Sequence, residues 1–147
     1  MQDSPAQRAI ASLQRLAEAF AERRRQLAAE ASLTETQWRV LEEIGGEGFL
    51  PSMFARQRDV SAAAVSRTLR QLLERGLVRA SVGADDGRKR VYRLTARGRR
   101  ALHRVHEARE AAVREVWASL PARDLDAFSA FSDDLAARLE RYAQRHR

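Results

Sequence analysis

Apolar residues recur at steps of three and four near both ends of the chain, which is the period of an amphipathic α-helix. The first such segment extends from about Pro5 to Ala31, with its apolar positions at Ile10, Leu13, Leu16, Ala17, Phe20 and Leu27. Another pattern extends from about Ala96, after a capping Thr95, to Leu120, where Pro121 ends it. A last pattern covers 125–142. One long helix at the start and two at the end are therefore predicted.

The middle of the chain has shorter elements. Thr34 and Gln37 have the spacing of a capping box, and the helix that they open is predicted to end at the glycine pair 45–46. Ser52 is predicted to cap a short helix that extends to about Arg58. Two short helices therefore precede the segment that carries most of the basic residues.

A tight turn and a longer helix follow. Residues 59–60 are predicted to form the turn, because aspartate tolerates left-handed backbone angles better than most residues. Ser61 caps the next helix, which ends at Gly76 and has an inner face of Val65, Leu69, Leu72 and Leu73. Two short strands, 77–82 and 91–94, are then predicted on either side of a basic, turn-rich tip.

Positive charge is concentrated in this middle part of the chain. The 147 residues include 27 basic and 20 acidic ones, and every basic residue except Lys89 is an arginine. Residues 50–100 hold 13 of the bases and 4 of the acids, whereas the rest of the chain holds 14 bases and 16 acids. A basic segment in a nearly neutral frame is typical of a nucleic-acid-binding protein.

The predicted elements make a winged helix-turn-helix, which is a suitable shape for duplex DNA. Small residues at the start of the second helix allow its backbone to approach base edges in the major groove, and Arg67 and Arg70 flank them. Arginines at the hairpin tip suit a narrow minor groove. The predicted DNA-binding residues are Ser61, Ala62, Ala63, Ala64, Ser66, Arg67, Arg70, Arg88, Lys89 and Arg90.

Three motifs in this region carry a family resemblance. They are LTETQWRVL at 33–41, the segment from Ser61 to the Gly-Leu-Val at 76–78, and Asp-Gly-Arg at 86–88 followed by LTARG at 94–98. In this order and spacing they resemble the MarR family of bacterial transcriptional regulators. The resemblance covers about residues 33–102.

The resemblance implies a mainly α-helical fold with a small β-hairpin wing, in which long helices flank the winged helix-turn-helix and form a dimer. The implied division is a dimerisation helix at 1–32, a DNA-binding region at 33–100 and dimerisation helices at 101–147, all in one intertwined domain. The long apolar helices support the dimer independently, since a chain of this size has little else to cover them.

The resemblance also implies a function. A homodimer would bind a palindromic operator with its two recognition helices about one helical turn, roughly 34–36 Å, apart. Arg67 would contact DNA from the recognition helix, and Arg88 would enter the minor groove while Asp86 orients it. The turn departs from the family pattern at Arg58, where an apolar residue is usual, so Arg58 is expected to face solvent or DNA.

Members of this family often release DNA when a small aromatic acid binds between the dimer helices and the winged helix. An arginine that holds a carboxylate against an aromatic ring is reasonable chemistry for such a site. The candidates for this role are Arg15, Phe20, Trp38, Arg39 and Phe54. The alternative is that Trp38 and Phe20 are core residues and Arg39 is a surface charge.

Several classes of site are excluded or disfavoured. Without cysteine the chain has no disulfide, cysteine-bound zinc or thiol redox sensor. His103 and His106 are spaced for one helical face, but a pair alone is more typical of a surface than of zinc, so neither a metal nor another cofactor is predicted. The chain also lacks a phosphate-binding glycine loop and a nucleophile elbow, which argues against an enzyme.

No apolar run suits a membrane span or a signal peptide, so we expect a cytoplasmic, nucleoid-associated protein. The leading hypothesis is a dimeric repressor that responds to an aromatic acid. One alternative is a DNA-binding protein without an effector, either a regulator or an architectural protein. The other is a protein-interaction module that keeps the winged helix as a scaffold.

Overall fold

The computed structural model describes residues 4–46, 48–84 and 87–147. The elements in chain order are α1 (Pro5–Glu30), α2 (Glu35–Gly45), α3 (Pro51–Gln57), α4 (Ala62–Glu74), β1 (Val78–Val82), β2 (Arg90–Leu94), α5 (Ala96–Ala112), a π-helical segment (Val113–Trp117) and α6 (Ala122–Arg145). The chain divides into two compact units between Ala108 and Arg109, within α5. None of the described helices has the length and apolar character needed to cross a bilayer.

Two helix boundaries differ from the sequence predictions. Ser52 does not cap α3: the helix already begins at Pro51, where the missing N–H costs nothing and the fixed φ favours a first turn. The helix predicted to reach Leu120 ends as an α-helix at Ala112. Beyond it each backbone hydrogen bond joins residues five apart instead of four, as in a π-helix. The Ala118 amide, for example, donates to the Val113 carbonyl at 3.0 Å.

Three helices of the first unit end with the same C-terminal motif. In each, the residue after the C-cap takes a positive φ, and the following amide donates to the carbonyl five residues earlier. The residues with positive φ are Ser32 (55°), Asp59 (52°) and Gly76 (67°). The predicted turn at Asp59 is thereby confirmed, and only the last of the three helices uses the glycine that normally suits this position.

The core of the first unit is formed by side chains from α1 to α5 and the start of β1. Its largest fully buried members are Val40, Leu41, Val65, Leu72 and Val105. They come from α2, α4 and α5, so the hydrophobic contacts of the helix-turn-helix and of the following helix form one continuous cluster. This packing fixes the position of α4 from its inner side.

The base of the hairpin is held by a close contact with the start of α5. Thr95 accepts a hydrogen bond from the Gly98 amide at 3.1 Å, which confirms its role as a cap, and donates to the Gly76 carbonyl at 2.6 Å. A Cβ at Gly98 would lie 2.1 Å from the Leu77 carbonyl oxygen, so only glycine allows this approach. The end of α4, the start of β1 and the start of α5 are thus joined at one point.

A buried amide links α2 to α4. Gln37 completes the capping box at the start of α2 and is only 6% exposed. Its Nε2 donates to Oε1 of Gln71 at 3.0 Å, and its Oε1 accepts from Nη1 of Arg75, also at 3.0 Å. Because Gln71 lies in α4 and Arg75 directly follows it, the start of α2 helps to orient that helix.

The second unit differs from the first in that it has no buried residues. All of its residues, 109–147, are described, and none of them is buried. Its exposed large apolar side chains are Val113, Val116, Leu120, Phe128, Phe131, Leu139 and Tyr142. This unit therefore has no core of its own.

We predict that Gly98→Ala lowers the free energy of unfolding by about 1–3 kcal/mol or more, since the new methyl group forces α5 away from Leu77. The measurement is chemical denaturation followed by circular dichroism. Gly87→Ala is the matched control: a Cβ there meets nothing within 4 Å, so its effect should stay within about 0.5 kcal/mol. Equal stability of the two variants would contradict the close-approach interpretation.

Candidate nucleic-acid interface

Helix α4 has one buried face and one exposed face. Val65, Thr68, Leu69 and Leu72 are buried, whereas Ala62, Ala63, Ser66, Arg67 and Arg70 are exposed. Ala64, a predicted member of the DNA-binding surface, is only partly exposed. The exposed face therefore has a shallow N-terminal end made of small side chains, followed by two arginines.

Local chemistry explains why α4 begins where it does. The Ser61 hydroxyl accepts a hydrogen bond from the Ala64 amide at 3.1 Å, which satisfies one of the free N–H groups of the first turn. Three successive alanines then provide the highest helix propensity at the smallest size. The same residues that start the helix also keep its outer surface low enough for close approach to a groove.

The hairpin presents the second part of the basic surface. Arg88, Lys89 and Arg90 are exposed, and the Gly83 amide donates to the Lys89 carbonyl at 2.8 Å across the base of the tip. Asp86, the residue expected to orient Arg88, lies outside the described residues. The predicted strands are confirmed as β1 and β2, with a register that pairs Val78 with Leu94.

Acidic side chains pair with some of the arginines around this surface. The guanidinium of Arg58 faces solvent as expected, with 46% of its side chain exposed, and it also donates to Glu43 Oε1 at 2.9 Å. This ion pair joins α3 to α2 and explains why an arginine is accepted before the turn. Among the described residues, no carboxylate is within ion-pair distance of Arg67, Arg70, Lys89 or Arg90.

The candidate effector residues fall into two groups. Trp38 and Phe54 are 7% and 3% exposed and belong to the same core cluster. Arg15 and Phe20 lie on the part of α1 whose described residues are all exposed up to Phe20. Arg39 is in neither group, because its Nη2 binds Glu35 Oε1 at 2.7 Å, and the same oxygen accepts from Arg24 Nε at 2.7 Å.

The indole N–H of Trp38 distinguishes this residue from the rest of the core. Its indole Nε1 is buried and has no hydrogen-bond partner among the described residues. A buried donor without an acceptor costs free energy, so most such groups in proteins are satisfied. A role in the core therefore explains why the ring of Trp38 is buried, but it does not explain why the N–H is left without an acceptor.

The two histidines interact with separate carboxylates. His103 Nε2 lies 3.2 Å from Oε1 of Glu107, and His106 Nε2 lies 3.3 Å from Oε1 of Glu42. Within the described part of the chain, no three side chains of the metal-binding types come together as a possible metal site. The contact of His106 attaches α5 to α2.

Comparison with known proteins supports a relationship to the MarR family. A model described as the MarR family matches residues 31–89, which span α2 to the tip of the hairpin. The match covers less than half of the chain, which over this segment is similar to the MarR family. The resemblance of the three sequence motifs is thereby confirmed.

A curated relative agrees with this assignment. The transcriptional regulator AdcR of Streptococcus pneumoniae is 35% identical over 66 residues, which make up 45% of this chain. The aligned segment also spans only 45% of AdcR, so less than half of each protein is compared. AdcR is named as a transcriptional regulator, which agrees with the prediction that the chain is not an enzyme.

Solved structures confirm the fold over nearly the whole chain. A MarR family transcription regulator superposes with a TM-score of 0.83 at 17% identity, over 93% of this chain and 91% of its own. Staphylococcus aureus MarR in complex with salicylate and kanamycin gives 0.76 at 15% identity, over 92% and 93%. The S. aureus MepR–DNA complex gives 0.67 at 16% identity, over 86% and 93%. The predicted winged helix-turn-helix is therefore correct.

Sequence reasoning missed the link from Gln37 to α4 and the role of Gly98. The sequence identifies Gln37 only as half of a capping box, because a contact across 34 positions leaves no periodic signal. It identifies Gly98 only as part of a motif. A glycine in the first turn of a predicted helix is a weak but usable indication of close backbone approach.

We predict that Ser61→Ala lowers the free energy of unfolding by about 1 kcal/mol, because the first turn of α4 loses its side-chain acceptor. Ser66→Ala is a matched control in the same helix. Ser66 is exposed in the helix interior, where alanine is the better helix former, so this variant should be as stable as the original or slightly more stable. Thermal denaturation of the two variants makes the comparison; an equal loss in both would contradict the capping role.

Proposed function

We propose that this chain is a sequence-specific DNA-binding transcriptional repressor that acts as a homodimer on a palindromic operator. The observation that carries the proposal is the exposed face of α4. Its small N-terminal residues are followed by Arg67 and Arg70, neither of which has an acidic partner among the described residues. Such a surface suits a major groove, where arginine binds guanine or a phosphate.

The wing extends the same interface. Three consecutive basic residues, 88–90, are exposed at its tip, and arginine in a narrow minor groove benefits from the strong negative potential there. The complex of S. aureus MepR with DNA supports DNA as the partner, since that protein shares this fold. One module therefore supplies base readout through α4 and backbone or minor-groove contacts through the wing.

Exposed apolar side chains support the homodimer. Ile10, Leu13, Leu16 and Phe20 of α1 are 55%, 46%, 38% and 45% exposed, and they recur at helical spacing. The second unit exposes seven more large apolar residues without a core of its own. Apolar stripes of this length normally mark an interaction surface, and we assign them to the contact with a second copy of the chain.

We further propose that a small aromatic acid releases the repressor from DNA. The buried, unpartnered N–H of Trp38 needs an acceptor, and a carboxylate or phenolic oxygen would provide one. Arg24 and Arg39 both bind the single carboxylate of Glu35, three residues before Trp38 in the sequence, so the positive charge of this cluster exceeds that of its one acidic partner. The salicylate complex of S. aureus MarR supports this class of ligand.

Footprinting on the DNA upstream of the chain's own gene, at near-physiological salt, tests the proposal. A protected pseudo-palindrome with half-sites one helical turn apart is the expected result. Uniform, salt-sensitive coverage would favour an architectural protein, because a specific regulator prefers its site over random DNA by about 10³-fold or more. Absence of any DNA binding would favour the protein-interaction module.

We predict that Arg67→Ala weakens binding to the protected site by about 10- to 100-fold, the cost of one good base contact. Fluorescence anisotropy with a labelled operator gives the Kd, and light scattering verifies that the dimer is intact. Arg104→Ala removes an exposed arginine of α5 outside the proposed surface and should leave the Kd unchanged. An unchanged Kd for Arg67→Ala would remove that residue from the interface.

For the effector, we predict that Trp38→Phe raises the salicylate concentration needed for release of the operator by about 10-fold or more. The phenyl ring keeps most of the packing, whereas the loss of one hydrogen bond to a charged acceptor costs roughly 1.5 kcal/mol or more. The measurement is a titration of the DNA complex with salicylate. Trp117→Phe makes the same substitution in the second unit and should not change the titration; equal shifts in both variants would contradict the role of Trp38.

A further inference from the structure

The hairpin contains a pair of like charges directly opposite each other. In its five-residue register, Arg79 pairs with Arg93, and the other four pairs each contain at most one charged residue. The Cβ atoms of directly opposite residues are about 4.5–5.5 Å apart, so two like charges there oppose formation of the hairpin. Both arginines are exposed.

The two arginines lie on the outer face of the hairpin. Successive side chains of a strand point to opposite faces, and the inner face is identified by Val78, which is 3% exposed, and by Tyr92 and Leu94, which pack against the core. Tyr92 also makes an edge contact with Phe49, with ring centroids 6.0 Å apart. Arg79 and Arg93 therefore project away from the core.

Nothing in the described chain compensates this repulsion. No carboxylate of the described residues is within ion-pair distance of Arg79 or Arg93. By contrast, Arg24 and Arg39 share Glu35, and Arg58 binds Glu43. A like-charge pair without a counter-charge would be relieved by an anion between its two guanidinium groups.

The position of Arg79 and Arg93 in the wing indicates that this anion is a phosphate of duplex DNA. Arg93 is three residues from Arg90 along β2, a distance of about 10 Å at 3.4 Å per residue. When the wing tip enters a minor groove about 6 Å wide, residues at this distance from the tip remain outside the groove, at the level of the sugar-phosphate backbone. Duplex DNA carries one negative charge per about 1.7 Å of its axis, so a phosphate lies within reach.

We propose that Arg79 and Arg93 form a phosphodiester clamp that extends the DNA interface along the outer face of the wing. The inference rests on the proposed function, since it needs the wing to approach duplex DNA. The clamp fixes the wing against the backbone and carries no sequence information, because a phosphate is the same at every base pair. Binding also removes the repulsion that the free hairpin bears.

The test is the salt dependence of DNA binding by the full-length chain and by the double variant Arg79→Gln/Arg93→Gln. Loss of the contact with one phosphate should reduce the slope of log K against log salt by about 0.9. The affinity for the operator and for random duplex DNA should fall by a similar factor. Denaturation should show the variant to be at least as stable as the original, because the repulsion is gone.

A double variant at Arg104 and Arg109 serves as the charge-matched control. Both residues are exposed on α5, and Arg104→Gln/Arg109→Gln removes the same two charges elsewhere. It should leave the slope unchanged; an equal fall in slope for both double variants would show a general effect of net charge and overturn the clamp.

Two other results would also overturn the clamp. An unchanged slope in the wing variant would exclude a phosphate contact, and a loss restricted to the operator would indicate base readout instead. If the original chain binds no DNA at all, the proposed function fails together with the clamp. If it binds DNA and the slope is unchanged in the wing variant, only the clamp fails.

Discussion

The contact between the first turn of α5 and the Leu77 carbonyl holds the parts of the winged helix-turn-helix together. Gly98 permits this contact, and Thr95 secures it with one hydrogen bond to the Gly98 amide and another to the Gly76 carbonyl. The recognition helix, the wing and the helix that leads to the second unit all begin or end here. A shift at this point would therefore change the angle between α4 and the wing, which reach neighbouring grooves together in the proposed complex.

The arginines of the chain fall into two groups, those that form ion pairs within the protein and those that are exposed without an acidic partner among the described residues. On α1, α2 and α3 several bind acidic residues of neighbouring turns or helices, as Arg24 and Arg39 do with Glu35. On the outer face of α4, and at Arg90 on the wing, they are exposed without such partners among the described residues. The excess charge of residues 50–100 thus arises from the placement of acids as much as of bases. Intramolecular pairing stabilises the frame, and the unpaired charge remains available for phosphates.

Local signals make most of the fold predictable from the sequence. The capping box of α2, the left-handed turn at Asp59, the glycine after α4 and the two strands of the hairpin each depend on a few neighbouring residues, and the structure has all of them. The prediction for Ser52 is wrong because a serine and a proline compete as start signals, and the proline one residue earlier determines the boundary. The change to a π-helix after Ala112 depends on the backbone hydrogen-bond pattern, for which the sequence offers no comparable marker.

The contacts of the candidate site are harder to predict from the sequence than the fold is. The exposed face of α4 follows from its helical period, but the ion pair of Arg58 and the unpartnered N–H of Trp38 depend on residues far apart in the chain or on packing. Spacing within one element gives the face of a side chain and not its partner on another element. The effector residues remain a prediction for that reason, whereas the helix and the hairpin are confirmed.

The tip of the wing also has a chemical consequence. Lys89 is the single lysine of the chain, and it is exposed between two arginines. Guanidinium groups do not react with amine-directed reagents under ordinary conditions, so apart from the terminal α-amino group such reagents have one target. A fluorophore attached through that amine would lie at the part of the molecule proposed to enter the minor groove. The wing thus carries a natural labelling site for following its encounter with DNA in real time.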